Sequence, residues 1–327
     1  MISLTGKRSN YGVRMKPVVL SLGVFPPATM STLAELFELH HFTVYPLPDG
    51  TLSPELKARI MAIATEANRG ATRALITSLP KLEIVSCFGV GVDGIDLAAA
   101  RERAIPVTNT PGVMADECAD LAIGMMLASA RQIVFADRYV RSGDWLKGPI
   151  RLGHSVGGKT VGVVGLGSIG RAIADRAQAF RMKVLWHGPR PKPDAPYEYV
   201  ADLVELARRS DFLMVACKGG EETRGIISAP VLDALGPEGM LINIARGSVV
   251  DEPAMIERLR DGRLGFAALD VFLNAPRIAA DFLELPNVLL QPHHGSATVE
   301  TRTAIGQLMI DNLTAHFAGR KLPTPVT

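Results

Sequence analysis

The chain has 327 residues, 47% of them hydrophobic, which is enough to fill two cores. Its 35 basic residues are nearly matched by 33 acidic ones, so a net charge of +2 supplies no broad field for nucleic acid or a membrane surface. A small anionic substrate stays open, because it needs only a local positive site. Cys87, Cys118 and Cys217 are widely spaced, with no CxxC pair and no disulfide framework, which suits a reducing cytoplasm. No apolar run approaches the ~18 residues of a membrane span, and the N-terminus lacks the apolar core of a signal peptide.

Residues 1–15 are polar and basic and read as an extension or an upstream start. Val18–Leu22 then reads as a strand, Thr29–Leu39 as a helix and Thr43–Tyr45 as a short strand. A helix is expected over Ser53–Ala67, with Ser53 as N-cap and Pro54 in its first position. Ala74–Thr77 and Ile84–Phe88 read as further strands. Ala115–Ala136 reads as one long Ala- and Met-rich helix for a core or a subunit interface. Arg141–Gly158 is a Gly-rich loop carrying Trp145. Later strands are expected at 184–186, 212–216, 240–244, 266–269 and 288–290, with helices near 202–209, 229–235, 252–260 and 298–318. Strands alternating with helices argue for an α/β fold with parallel sheets.

Between the strand Thr160–Val164 and a helical stretch lies Gly165-Leu166-Gly167-Ser168-Ile169-Gly170. A strand, GxGxxG, helix sequence is what a dinucleotide turn requires. Gly165 permits the tight turn, Gly167 lets a pyrophosphate approach the backbone, and Gly170 lets helix and sheet pack closely. The helix N-terminus adds N–H groups and a positive dipole end. NAD sites place an acid about 20 residues past the turn. Here the positions after Trp186 are His187, Gly188, Pro189 and Arg190, and the first acid is Asp194. Arg190, with Lys192, suits a 2′-phosphate, so NADPH is expected as the preferred cofactor, with NADH as the alternative. The plain alternative is that Arg190 is a solvated loop charge.

Three segments fall at the C-terminal ends of later strands: Asn243–Ser248, Ala268–Phe272 and Gln291–Ser296. They deliver Arg246, Asp270 and His293 to the edge where doubly wound sheets bind ligands. An Arg, an Asp and a His there suggest carboxylate binding, cofactor orientation and proton transfer. No metal site is expected: His293 and His294 are adjacent, and no HExxH helix is present.

With GLGSIG mid-chain, NIARGSVVDE (Asn243–Glu252), ALDVF (Ala268–Phe272) and QPHHGSAT (Gln291–Thr298), the chain resembles the D-isomer-specific 2-hydroxyacid dehydrogenase family from Met15 to its end. The PRPK loop, the HHGS segment and the long helix look most like the glyoxylate/hydroxypyruvate reductase branch. The resemblance implies two doubly wound domains. One is a flavodoxin-like substrate domain from residues 1–106 and 296–327. The other is an inserted Rossmann domain, 107–295, with a dimerisation arm near 112–150 and hence a homodimer. It implies that Arg246 holds the substrate carboxylate and keto oxygen and that His293 is the proton donor. Val90 and Gly91 would bind the carboxylate through backbone N–H groups, and Asp270 would contact the nicotinamide end. Cys217, Thr223, Ile244 and Gly295 would line the cofactor cleft. Trp145 would reach a neighbour's site, though packing at an interface explains it equally.

The family places Glu five residues after the Asp of its DVF motif, followed by Pro, to bond the catalytic histidine. Here the segment reads Asp270-Val271-Phe272-Leu273-Asn274-Ala275-Pro276, so the position holds Ala275. Alanine can neither orient an imidazole nor favour its charged form. An introduced Glu-to-Ala change, a natural slowed enzyme, and replacement by Glu300 or Asp281 all fit. The leading expectation is NADPH-dependent reduction of glyoxylate, hydroxypyruvate or a similar small 2-keto acid, with impaired turnover. The alternative is a catalytically weak or inactive nucleotide-sensing binding protein of the same fold.

Overall fold

The computed structural model describes residues 15–67 and 69–327. Of the basic N-terminal extension, only Met15 falls within them. The chain divides into two compact units, one taking the residues up to Met114 with Thr298–Thr327, the other Ala115–Ala297.

The first unit is built on a parallel sheet of β1 (Val18–Leu22), β2 (Glu38–Phe42), β3 (Ile60–Glu66), β4 (Ile84–Phe88) and β5 (Val107–Thr108), ordered β2-β1-β3-β4-β5. That is the flavodoxin-like order. β1 and β4 are buried along their whole length, as expected of parallel strands covered on both faces. The C-terminal helix Val299–Phe317 closes this unit against β4 and the helix Pro27–Leu36. The two helices meet at Gly306, where a Cβ would lie 2.1 Å from Thr29 Oγ1, so only glycine permits that approach.

The second unit carries β6 (Thr160–Val164), β7 (Lys183–His187), β8 (Glu198–Tyr199), β9 (Phe212–Val215), β10 (Met240–Asn243), β11 (Phe266–Leu269) and β12 (Val288–Leu290). Their order is β12-β11-β10-β9-β6-β7-β8, all parallel. Counted from β6, the first six strands run 3-2-1-4-5-6, the Rossmann order. One apolar core packs Ala119, Met126, Ile173 and Trp186 together; another gathers Leu213, Leu232, Leu241 and Leu269.

Four local expectations are corrected. The predicted helix over 53–67 is one turn, Pro54–Lys57, capped by Ser53 Oγ on Leu56 N–H (3.2 Å), and 60–66 is instead β3. Ile60–Ala64 is almost wholly buried between β1 and β4, and a continuous apolar run of that length does not distinguish strand from helix by period. The predicted strand at 74–77 is the helix Arg73–Ser78, started by Thr72 Oγ1 accepting from Leu75 N–H at 3.3 Å. The predicted strand at 43–45 sits earlier, at Glu38–Phe42, because the preceding helix ends at Leu36 and frees 38–42 to pair with β1. The predicted single helix 115–136 is two, Ala115–Ala130 and Ile133–Arg141, broken where Gln132 turns left-handed (φ 55°). Among the described residues no single helix is long and apolar enough to cross a membrane.

Candidate functional site

In the second unit the turn after β6 is shaped by close backbone approaches. A Cβ at Gly165, which sits at φ 94°, would lie 2.6 Å from Cys217 Cα. One at Gly170 would lie 2.0 Å from the Gly165 carbonyl oxygen. At Gly167 it would meet nothing within 4 Å, so this position faces open space. Leu166 is buried and Ile169 packs on the core, which fixes the turn from below. The helix Ser168–Ala179 starts with no side-chain cap, whereas the helices Leu203–Arg208 and Glu252–Asp261 are capped by Asp202 and Asp251. An uncapped twelve-residue helix behind an open glycine presents first-turn N–H groups to an anion. These residues fit the pyrophosphate of a dinucleotide.

Beyond β7, Lys192 Nζ donates to the Leu166 carbonyl at 2.6 Å, which ties the Pro-rich loop to the glycine turn. Arg190 is exposed on that loop. Asp194 is ion-paired with Arg171 at 2.6 Å, so the first acid after β7 is already committed. Cys217 lies just past β9; burial pushes its thiol up to about 11, which makes it an inert wall rather than a nucleophile. Thr223 Oγ1 donates to the Lys218 carbonyl (2.7 Å), closing the loop after β9. Ile244 is buried, with its N–H on the Val215 carbonyl at 3.3 Å.

Arg246 follows β10 and is half-buried. Two buried polar residues shape its turn. Asn243 Oδ1 accepts the Ala245 N–H (3.0 Å), and its Nδ2 donates to the Arg246 carbonyl (3.0 Å). This Asx turn fixes where Arg246 leaves the strand. Glu252 is 8% exposed and accepts the Leu273 N–H at 3.0 Å. Gly247 lets the two segments touch, since a Cβ there would lie 2.0 Å from the Phe272 carbonyl carbon. Sequence reasoning overlooked Asn243 and Glu252 as site builders; the available signal was two polar residues flanking Arg246 in an otherwise apolar strand-and-helix text.

Asp270, after β11, is 1% exposed. Its carboxylate accepts the N–H of His294 (2.5 Å) and of Gly295 (2.9 Å). Burial holds its pKa above the ordinary carboxylate value, opposed by these two N–H groups and by the neighbouring histidines. The carboxylate therefore braces the turn that carries His293. His293 is exposed and left-handed, at φ 58°, a conformation that costs a β-carbon residue about 1–3 kcal/mol and persists only where surroundings enforce it. Gly295 fits tightly beside Asp270 and Cys118, 3.2 and 3.3 Å from a built Cβ. Ala275 lies exposed on the loop after β11, and Asp281 is ion-paired with Arg260. Glu300 is exposed in the first turn of the C-terminal helix of the other unit. Trp145 is 68% exposed, in a single turn spanning Asp144–Lys147.

The sheet thus brings the glycine turn, Cys217, Arg246, Asp270 and His293 to one edge, the C-terminal ends of β6, β9, β10, β11 and β12. In the first unit, Val90 and Gly91 follow β4 in a loop pinned by its carbonyls. The Gly89 oxygen accepts from Thr110 N–H (3.0 Å), Val90 from Asn109 Nδ2 (2.7 Å) and Gly91 from Cys87 Sγ (3.3 Å).

Residues 123–295 match the family model described as D-isomer specific 2-hydroxyacid dehydrogenase, NAD binding domain. The chain is 47% identical to glyoxylate/hydroxypyruvate reductase A of Arabidopsis thaliana over 94% of its own length and 99% of the relative's. Among solved structures, the 2-hydroxyacid dehydrogenase of Ketogulonicigenium vulgare Y25 is 49% identical with a TM-score of 0.89, covering 96% of this chain and 99% of that one. The NADPH-dependent glyoxylate/hydroxypyruvate reductase of Sinorhizobium meliloti, in complex with NADP and malonate, is 39% identical with a TM-score of 0.88, covering 95% and 97%.

Proposed function

Since the chain belongs to the D-isomer-specific 2-hydroxyacid dehydrogenase family, in its glyoxylate/hydroxypyruvate reductase branch, we propose that it reduces glyoxylate, hydroxypyruvate and similar small 2-keto acids to D-2-hydroxy acids, with NADPH preferred over NADH. The observation that carries this reading is the delivery of Arg246 and the braced His293 to the same sheet edge as the open glycine turn. When bound, the nicotinamide supplies a hydride to the keto carbon.

Residues 165–170 hold the pyrophosphate in this reading, and Arg190 and Lys192 the 2′-phosphate. Arg246 clamps the carboxylate and keto oxygen, which fixes the carbonyl face. His293 gives its proton to the keto oxygen as negative charge develops there. Val90 and Gly91 are assigned the substrate carboxylate through their N–H groups, a role suited to a loop whose carbonyls are already held. Asp270 keeps His293 in place through the backbone and meets the nicotinamide end. With Ala275 where the family has Glu, turnover is expected to be slowed by about a hundredfold, within the 10²–10⁴ range of general acid–base contributions.

The arm near 112–150 is assigned to a homodimer. Ile133, Phe135, Val140, Trp145 and Leu146 are all large apolar side chains left exposed on it. Light scattering at twice 35.0 kDa tests this. A cytoplasmic placement is assigned on the sequence, in which the three cysteines are widely spaced and form no CxxC pair. The enzymatic reading is tested by steady-state oxidation of NADPH and NADH with glyoxylate and hydroxypyruvate, for this chain and for Ala275→Glu. Absence of turnover with any small 2-keto acid in both proteins sinks it. Ala275 also favours a second reading, a nucleotide-sensing binding protein, for which tight cofactor binding would persist without turnover even in Ala275→Glu.

A further inference from the structure

Phe88 ends β4, and its ring lies 5.2 Å from that of Phe25, which follows β1. Over the same Phe88 ring sits the Arg302 guanidinium, 5.6 Å from the centroid. Both aromatic rings are buried, and all three groups belong to the first unit. They sit at the C-terminal edge of its parallel sheet, directly before the Gly89–Gly91 loop, where an open sheet binds ligands.

Among the described residues, Arg302 differs from the other half-buried arginines of this unit. Arg69 and Arg103 are half-buried like it, but Arg69 binds Glu66 and the Thr43 carbonyl, and Arg103 binds the Ile76 and Pro80 carbonyls. Arg302 has the Phe88 ring and, among the described residues, no carboxylate or carbonyl partner. Glu300, two residues earlier, projects from a different side of the helix and makes no ion pair with it. A guanidinium carries five N–H donors, and pressing one against a ring removes water without supplying acceptors. Such a group is held ready for oxygen atoms that the protein does not provide.

We propose that Arg302 is a specificity-determining residue, forming a distal subsite for 2-keto acids that bear a hydroxyl or carboxylate on C3 or beyond. This rests on the reading above, with the substrate carboxylate at Val90–Gly91. Glyoxylate has no C3 and cannot use the subsite. Pyruvate presents a methyl group to it, and hydroxypyruvate presents an oxygen. Arg302 thus ranks hydroxypyruvate above pyruvate and leaves glyoxylate untouched.

The test compares wild type, Arg302→Met and Arg302→Lys. The readouts are kcat/KM for glyoxylate, pyruvate and hydroxypyruvate, and calorimetric binding of glycolate, D-lactate and D-glycerate to the cofactor-loaded protein. In Arg302→Met the hydroxypyruvate-to-pyruvate ratio is expected to fall roughly tenfold to hundredfold, the range for a hydrogen bond to a charged group. D-glycerate binding should weaken by a similar factor, while glyoxylate turnover and glycolate binding stay within twofold. Arg302→Lys should recover part of the ratio. An unchanged ratio overturns the assignment, and so does an equal loss for all three acids, which would mark Arg302 as only a prop for Phe88. Arg302-dependent D-glycerate binding without any turnover would overturn the reductase reading and leave the subsite standing.

Discussion

Asp270→Asn tests whether His293 is held by the backbone. The wild-type carboxylate accepts two N–H groups, at 2.5 and 2.9 Å, from the residues that follow His293. An amide keeps one acceptor and turns an NH2 toward the other N–H. One charge-assisted bond is lost, about 1.5–3 kcal/mol, and a buried donor is left unpaired at about 1–3 kcal/mol. Partial relaxation places the expected destabilisation near 3 kcal/mol. The left-handed backbone of His293 has its own cost of about 1–3 kcal/mol, so a slackened brace lets it leave that conformation. Turnover should then fall tenfold to hundredfold, with substrate KM changed less than kcat.

The pH dependence of stability gives a second readout of the same change. Burial raises the Asp270 pKa above 3.8, so the folded state binds a proton more tightly than the unfolded chain. Stability from this linkage is present below the unfolded value and is lost as pH rises through the folded one. Asp270→Asn should flatten that slope. Urea unfolding across this pH window, single-turnover kinetics and cofactor titration together make the assay. Wild-type kcat and stability in the variant would refute the brace. A loss confined to cofactor affinity would show that Asp270 acts on the cofactor alone.

Three further outcomes are expected. Ala275→Glu should raise kcat by about tenfold to hundredfold and extend activity to higher pH; a flat response in the pH–rate profile would mean His293 is oriented without that carboxylate. Gly170→Ala forces a Cβ to within 2.0 Å of the Gly165 oxygen, so it should destabilise the fold by about 1–3 kcal/mol and weaken cofactor binding at least tenfold, checked by thermal unfolding and fluorescence titration. Arg190→Ala should lower the NADPH-to-NADH preference in kcat/KM by about tenfold, the loss of roughly one charged contact to phosphate; an unchanged preference makes Arg190 a bystander.

Regular elements were legible where a local signal stood alone. Ser53 and Asp251 each cap a helix by accepting the N–H three residues on, a rule contained within four residues of sequence. Failures fell on short apolar runs. Ile60–Ala64 and Ala74–Thr77 have similar composition, yet one is a central strand and the other lies in a helix. Which they became depended on neighbours: β1 and β4 flank the first, while Thr72 starts the second. The break at Gln132 was likewise invisible, because a left-handed turn in a residue other than glycine leaves no mark in composition.

The sequence by itself determined the chemistry on offer: a glycine turn between strand and helix, an Arg, an Asp and a His after later strands, and an alanine at 275. These are identities, and identity is local. Only the tertiary structure decided what holds them. Glu252 reaches the Leu273 N–H, Asp270 the N–H groups beside His293, and Arg302 the Phe88 ring, each across 20 or more positions of chain. Such partnerships depend on strand order and on which backbone N–H a buried carboxylate meets. Spacing along the chain does not encode that, because hydrogen bonds and ring contacts act over a few ångströms of space.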